Sequence, residues 1–404
     1  MPAHQFGTSR NTISNEILVE RLHSAALKRA AALGFKPLGS TTGSVSSGGV
    51  VRLRAPAGAS TQTAYRLLTN LFDRGAVHFN RRYRLYQAAQ GSGWHTTVAS
   101  KGPRKCSSER CYGPATVQWR THLSRCAQGL RIGIVDTAIA AQHPAFAGQD
   151  ITTARVAEGR PPVRNDGHGT GILALLAGNP NSTTPGLVPD ASFFAADIFF
   201  RDADGNPTSD SLTLHKALLQ MEAWNVQIIN LSLAGPPDSL VEKTVERLSR
   251  KGVMFVAAGG NEGPSAGPSY PAAYDQVIAV TAVDRSLRGY RYANRGDYID
   301  VAAPGVNIWT AAPDAKDALL SGTSLAAPFV TSIVSAVYRA LPNKSRAELL
   351  AAVTTRDLGH PGKDQVYGRG LVRAPLNCRP KVRPSPRIAD TTGRDFAAVA
   401  FMRD

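Results

Sequence analysis

The chain has 404 residues, 43% of them hydrophobic, with 46 Lys and Arg against 30 Asp and Glu and a formal net charge of +16. That length and apolar content allow a large core, enough for one domain of about 250 residues and a smaller one. No run of about 18 apolar residues occurs, which excludes a membrane-spanning helix.

The charge is unevenly placed. Residues 1–125 hold 18 basic and 4 acidic side chains, residues 126–378 hold 22 and 23, and the remainder 6 and 3. Nucleic acid or an anionic envelope surface could take so basic a segment. No nucleic-acid motif accompanies it, so no nucleic-acid partner is expected and the charge reads as a solvated face or as complementary to the rest of the chain.

Residues 1–48 read as leader and linker: the alanine-rich stretches near 24–35 are split by Lys28 and Arg29, so no h-region of a secretory signal forms, and a Ser/Thr/Gly-rich run follows at 39–49. Alternation at 50–54 and 76–86 predicts two strands and 61–73 a helix, a small βαβ-like unit within 49–90. A linker with Cys106 and Cys111 fills 91–125. From residue 130 strands and helices alternate, with strands predicted at 130–136, 192–199, 226–233, 253–258 and 277–283 and helices at 168–177, 209–224 and 240–250. This pattern implies an α/β domain whose mainly parallel sheet is covered on both faces. The turn Gly322-Thr323-Ser324 runs into an apolar helix, with Pro328 expected in its first turn. Ser345 and Glu348 form a capping box for one more helix, and the proline-bearing tail 379–404 is expected to be irregular.

Three side chains in this order can do chemistry together. Asp136 ends a buried strand, His168 opens an apolar helix, and Ser324 stands at a helix N-terminus, where free N–H groups can hold an oxyanion. A serine hydroxyl is a weak nucleophile until a base takes its proton. His143 competes for that role by position, but Pro144 follows it and the Gly-Thr found after His168 is missing.

His168-Gly169-Thr170 and Gly322-Thr323-Ser324, with Ala326 and Pro328, resemble the motifs of the subtilisin-like serine proteases, and 256–263 resembles that family's oxyanion-asparagine segment. The likeness covers 126–378. It implies a subtilisin-like three-layer sandwich and a serine endopeptidase in which Ser324 attacks, His168 moves the proton, Asp136 orients the imidazole and Asn261 holds the oxyanion. It further implies that Ser232, Leu233, Ala234 and Gly235 carry a segment pairing with extended substrate, and that Gly259 and Gly260 line a specificity pocket with room for a sizeable side chain. Protein or peptide substrates, no cofactor for the chemistry and a monomer follow from it. The βαβ-like unit weakly resembles the family's propeptide, which implies an intramolecular inhibitor cut off somewhere in 87–129. Residues 179–185 lie where many subtilases bind calcium, but their side chains do not identify a site, and Asp202, Asp204 and Asn206 suit a hairpin turn better than a calcium loop.

One departure is Ala138, where the family carries glycine; a positive φ there would cost alanine about 1 kcal/mol. That departure and the missing signal motivate an alternative, a catalytically silent peptide-binding module of the same fold, and an esterase is a third reading. The four cysteines suit an exported protein and so an extracytoplasmic location, although no signal peptide is visible. Three pairings are open. Cys106–Cys111 with Cys126–Cys378 is favoured over the others and over a Cys₄ zinc site, which lacks a Cys-x₂-Cys pair.

Overall fold

The computed structural model describes residues 11–21, 24–40, 49–85, 111–163, 167–314 and 316–378. The N-terminal part runs β1 (Thr12–Glu20), α1 (Ser24–Ala32), β2 (Lys36–Ser40), β3 (Val50–Arg54), α2 (Thr61–Leu71) and β4 (Val77–Tyr83). The strands are antiparallel in the order β2-β3-β1-β4. This is a split β-α-β-β-α-β unit, so half of what the sequence suggested as leader belongs to it. Ile17, Leu18 and Val19 of β1 are all buried. Ile17 and Val19 join Ala30, Leu53, Leu68 and Val77 in a small core under the unit's own helices. Leu18 points the other way, with Val50, onto Leu212 and Leu240 of the large domain. A strand buried on both faces loses its alternation, which is why β1 escaped the period-two pattern.

The large domain begins before residue 126. A short helix α3 (Tyr112–Thr116) and a 3₁₀ turn Thr121–Ala127 place Tyr112, Val117, Leu123 and Ala127 in its core. It continues with β5 (Arg131–Asp136), β6 (Ile151–Arg155), α4 (His168–Ala177), β7 (Ser192–Asp197), β8 (Phe200–Arg201), β9 (Pro207–Asp210), α5 (Ser211–Ala223), β10 (Ile228–Leu231), α6 (Ser239–Arg250), β11 (Met254–Ala258), β12 (Val277–Val283) and β13 (Val301–Pro304). There follow the hairpin β14 (Ile308–Ala312) and β15 (Lys316–Leu320), then α7 (Thr323–Val337), α8 (Arg346–Ala352), β16 (Thr354–Arg356) and β17 (Leu371–Arg373). Nine strands order as β16-β17-β13-β12-β11-β10-β5-β7-β6, parallel except for β16 against β17.

Alternate residues of the central strands serve opposite layers. Ile132, Ile134, Ile228, Val256, Ile278 and Val280 face α4 and α7, while Val135, Ile229, Leu231, Phe255, Ala257 and Val277 face α5 and α6. Helices on both faces of a mainly parallel sheet make the expected three layers. The expected Ser345–Glu348 capping box is formed and opens α8. Cys126 and Cys378 are disulfide-bonded and join the two ends of this domain. Cys111 is also disulfide-bonded, but its expected partner Cys106 lies outside the described residues, as does the tail 379–404.

The small unit does not stand apart. β4 pairs antiparallel with β9 (Arg82↔Asp210, Tyr83↔Ser209), so its four strands continue into the β9–β8 hairpin as a six-stranded sheet. At the hairpin turn Asp202 Oδ1 accepts the Asp204 and Asn206 N–H groups, and Oδ2 accepts from Arg82 at 2.9 Å.

Candidate active site

Asp136 is the last residue of β5, buried at 1% exposure. Its Oδ1 accepts the Thr137 N–H at 2.7 Å and His168 Nδ1–H at 2.7 Å. A carboxylate only accepts, so the proton sits on Nδ1, and in the neutral ring Nε2 is the basic atom. The loop after β5 is stitched to the first turn of α4: Thr137 Oγ1 accepts the Gly169 N–H at 3.0 Å, and Thr170 Oγ1 accepts the Ala140 N–H at 2.9 Å. Gly169 permits this approach, since a Cβ there would stand 2.6 Å from the Thr137 carbonyl oxygen. Ala138 is not among the residues at positive φ, so the expected strain at this departure is not present.

Ser324 is the second residue of α7, where its N–H has no intrahelical acceptor. Pro328 is not in the first turn but one turn further on. It therefore denies the Ser324 carbonyl its usual i+4 donor. The Ser232 hydroxyl supplies a replacement at 3.3 Å, itself accepting from Asn230 Nδ2 at 2.9 Å, while Asn230 Oδ1 accepts from Thr331 at 3.0 Å. This buried chain fixes the start of α7 on β10. Leu231 pairs with Val135, which brings Ser232 and Asp136 to the same end of adjacent strands. The Ser324 hydroxyl points to the Ser232 carbonyl oxygen at 3.4 Å. Asn230 is the signal that sequence reading passed over: a polar residue inside an otherwise apolar strand, with no exposed surface.

Asn261 follows β11 and is 8% exposed. Its Oδ1 accepts both the Thr323 N–H and the Thr323 hydroxyl at 3.0 Å. Because a backbone N–H can only donate, the amide orientation is decided and Nδ2 is the atom turned to Gly322, within 3.0 Å of where a Cβ would stand there. Gly259 and Gly260 are crowded: an added Cβ would approach Ile299 to 2.8 Å and the Asn294 amide to 2.6 Å. Their small size is needed by this packing.

Of the segment expected to hold substrate, Leu233 is core and Ser232 is spent on α7. Gly235 exchanges backbone hydrogen bonds with Tyr270 at 2.7 and 3.0 Å. Ala234 exchanges them with Arg84, at 2.9 and 3.2 Å. The extended chain after β4 therefore lies antiparallel on this segment, with Leu85 buried beside it. His143, the rival histidine, caps a 3₁₀ turn through Nδ1 and donates from Nε2 to the Lys316 carbonyl at 3.0 Å.

The sequence model of the Subtilase family matches residues 127–370. The chain belongs to the subtilase family. Among curated subtilases it is 31% identical to thermitase of Thermoactinomyces vulgaris over 272 residues, 66% of this chain and 95% of that protein. It is 32% identical to a thermostable alkaline protease of Halalkalibacterium halodurans over 257 residues, 61% of this chain and 66% of the relative. Its fold superimposes on the crystal structure of fervidolysin from Fervidobacterium pennivorans, a keratinolytic enzyme related to subtilisin, with a TM-score of 0.75 and 20% identity. That superposition covers 90% of this chain, and so reaches into the N-terminal unit, and 61% of fervidolysin. As a subtilase the chain is a serine-type endopeptidase, whose chemistry requires no cofactor.

At the start of 179–185, Asn179 Nδ2 donates to the Ala147 carbonyl and its Oδ1 accepts the Asn181 N–H. Among the described residues no group of three His, Cys, Asp or Glu side chains gathers as metal ligands would. No described helix is long and apolar enough to cross a membrane.

Proposed function

We propose that this subtilase hydrolyses peptide bonds through Asp136, His168 and Ser324, and that its N-terminal unit inhibits it until removed. The observation that carries the first part is the 2.7 Å bond from His168 Nδ1–H to Asp136, which makes Nε2 the basic nitrogen of the ring. Ser324 Oγ attacks the scissile carbonyl while His168 takes its proton; Asp136 stabilises the imidazolium. The oxyanion is held by the Ser324 N–H and Asn261 Nδ2, the latter aimed by Thr323. His168 returns the proton to the leaving amine, and water repeats the sequence on the acyl-enzyme. Labelling by a fluorophosphonate probe tests this: covalent modification of wild type and none of Ser324→Ala is expected, and failure to label the wild type would point to the silent peptide-binding module instead.

The inhibitory role is supported by Arg84 and Leu85 lying on the segment that substrate would use. The expected cut, within 87–129, narrows because Tyr112, Leu123 and Cys126 are buried in the large domain. A cut that spares that core falls before Cys111, in a stretch outside the described residues. Removing the unit takes away most of the 18 basic side chains of residues 1–125. Its contacts include ion pairs, Arg82 with Asp202 at 2.9 Å and Glu20 with Lys243 at 3.0 Å, so inhibition should weaken with salt. Mass analysis under reducing conditions distinguishes the outcomes: a trimmed wild type beside an intact Ser324→Ala chain is expected, whereas equal trimming of both implicates another protease. The Cys126–Cys378 disulfide supports an extracytoplasmic location, and the active form is proposed to work as a monomer.

A further inference from the structure

Tyr83, one residue before the one that pairs with Ala234, has no exposed surface although it ends a strand on a docked unit. Its ring enters the large domain beside Gly235, where an added Cβ would stand 2.7 Å from the ring. At the far end its hydroxyl donates to Asp238 Oδ2 at 3.1 Å, and Asp238 is itself 4% exposed. The other carboxyl oxygen is already committed, because Oδ1 accepts the Leu240 and Val241 N–H groups as the N-cap of α6. Tyr274 holds the Asp238 backbone on both sides, its hydroxyl donating to the carbonyl at 2.9 Å and accepting the N–H at 3.1 Å. Burial pushes the pKa of this carboxyl up from its ordinary value.

We propose that Asp238 makes this cleft selective for a tyrosine hydroxyl, so that substrates presenting tyrosine where Tyr83 lies are preferred to those presenting phenylalanine. This rests on the reading above, in which the strand through Tyr83, Arg84 and Leu85 occupies the place of substrate. The ring alone would satisfy the apolar walls equally well in both cases. The difference is the partner of Oδ2: phenylalanine removes a donor from a buried carboxyl, and sites built to bind a hydroxyl discriminate strongly for that reason.

The test uses two fluorescent peptides copying residues 80–90 of this chain, one with the tyrosine and one carrying Tyr83→Phe, presented to the processed enzyme. Their ratio is read as kcat/KM or, if they bind without being cut, as the ratio of inhibition constants against casein. A preference for the tyrosine peptide of about 10- to 100-fold is expected. In Asp238→Ser, which keeps a cap for α6 but is too short to reach the ring hydroxyl, the ratio should fall to within about twofold. Asp238→Asn, of unchanged size, should lower it as well, since a neutral amide replaces a carboxyl. Equal use of the two peptides by wild type, or an undiminished ratio in both variants, overturns the proposal. Loss of casein hydrolysis by the wild type would instead overturn the endopeptidase reading, and the hydroxyl preference would then be decided by the anisotropy of the same labelled peptides.

Discussion

The two large sheets of this molecule are completed in different ways. In the catalytic domain β10, β11 and β12 are buried at every position, and every helix that covers them comes from the same domain. The N-terminal sheet covers one face with α1 and α2, while Leu18 and Val50 on its other face pack with Leu212 and Leu240 of α5 and α6. The large sheet is covered on both faces within its own domain; the small one has its own core on one face and a second face covered by docking. That difference suits a piece that holds the cleft and is then given up, because cutting the connection exposes apolar surface on the small unit and leaves the layers of the large one intact.

The strongest way to test this division is to disable the nucleophile. Ser324→Ala is expected to lower kcat on casein by on the order of 10⁶-fold, the loss a subtilisin suffers when its serine is removed. The same variant should keep both regions in one chain, so its mass and its activity test separate halves of the comparison. Asn261→Ala should cost roughly 10²- to 10³-fold in kcat with little change in KM, as expected of a donor used mainly in the transition state. A similar loss confined to KM would assign Asn261 to substrate binding.

How far each region could be read in advance follows from the same difference. The strand at Val277–Val283 and the helix at His168–Ala177 have the bounds their sequences suggest, because each is a nearly continuous apolar run between turn residues. The Asp136, His168 and Ser324 motifs were legible for a local reason: each depends on small residues packed around one side chain. β1 was not legible, since its burial on both faces requires a partner far along the chain. Nor were the pairing of Arg84 with Ala234 and the contact of Tyr83 with Asp238, which join two domains. Pro328 was recognised but misplaced by one turn, and its consequence for the Ser324 carbonyl depends on Ser232, a contact visible only in three dimensions.

Breaking the Cys126–Cys378 disulfide should act on one region alone. Both cysteines belong to the large domain and are separated by 252 residues, so the double Cys→Ser variant is expected to lose about 2–5 kcal/mol of stability. Measured by urea unfolding in the Ser324→Ala background, the loss should appear in the unfolding of the catalytic domain. Separate release of the N-terminal unit at lower urea would show instead that the bond also supports the docking face.

The smallest effect concerns acid and separates the two regions by pH. His215 on α5 is buried, and its Nδ1 shares a 2.8 Å hydrogen bond with Thr244 of α6, whose own hydroxyl proton goes to the Leu240 carbonyl. Nδ1 is therefore the donor, and burial pushes the imidazole pKa from 6.5 down to about 4. A base with a depressed folded pKa contributes its stability above about pH 6.5 and loses it as the pH falls toward 4. Glu20, which anchors the docked unit, behaves differently. Burial would raise its pKa, but hydrogen bonds from His78 and Lys243 outweigh this and hold it at about 2, so its contribution is lost only as the pH falls from 4.5 toward 2. Between pH 7.5 and pH 5 the base formed by α5 and α6 should therefore weaken while the Glu20 anchor is still ionised. The His215 share is roughly 2 kcal/mol. Urea unfolding of the Ser324→Ala chain at the two pH values, with and without His215→Gln, separates the His215 contribution from the carboxyls whose raised pKa values act in the opposite sense. An equal fall in stability with and without His215→Gln would place the acid sensitivity outside this contact.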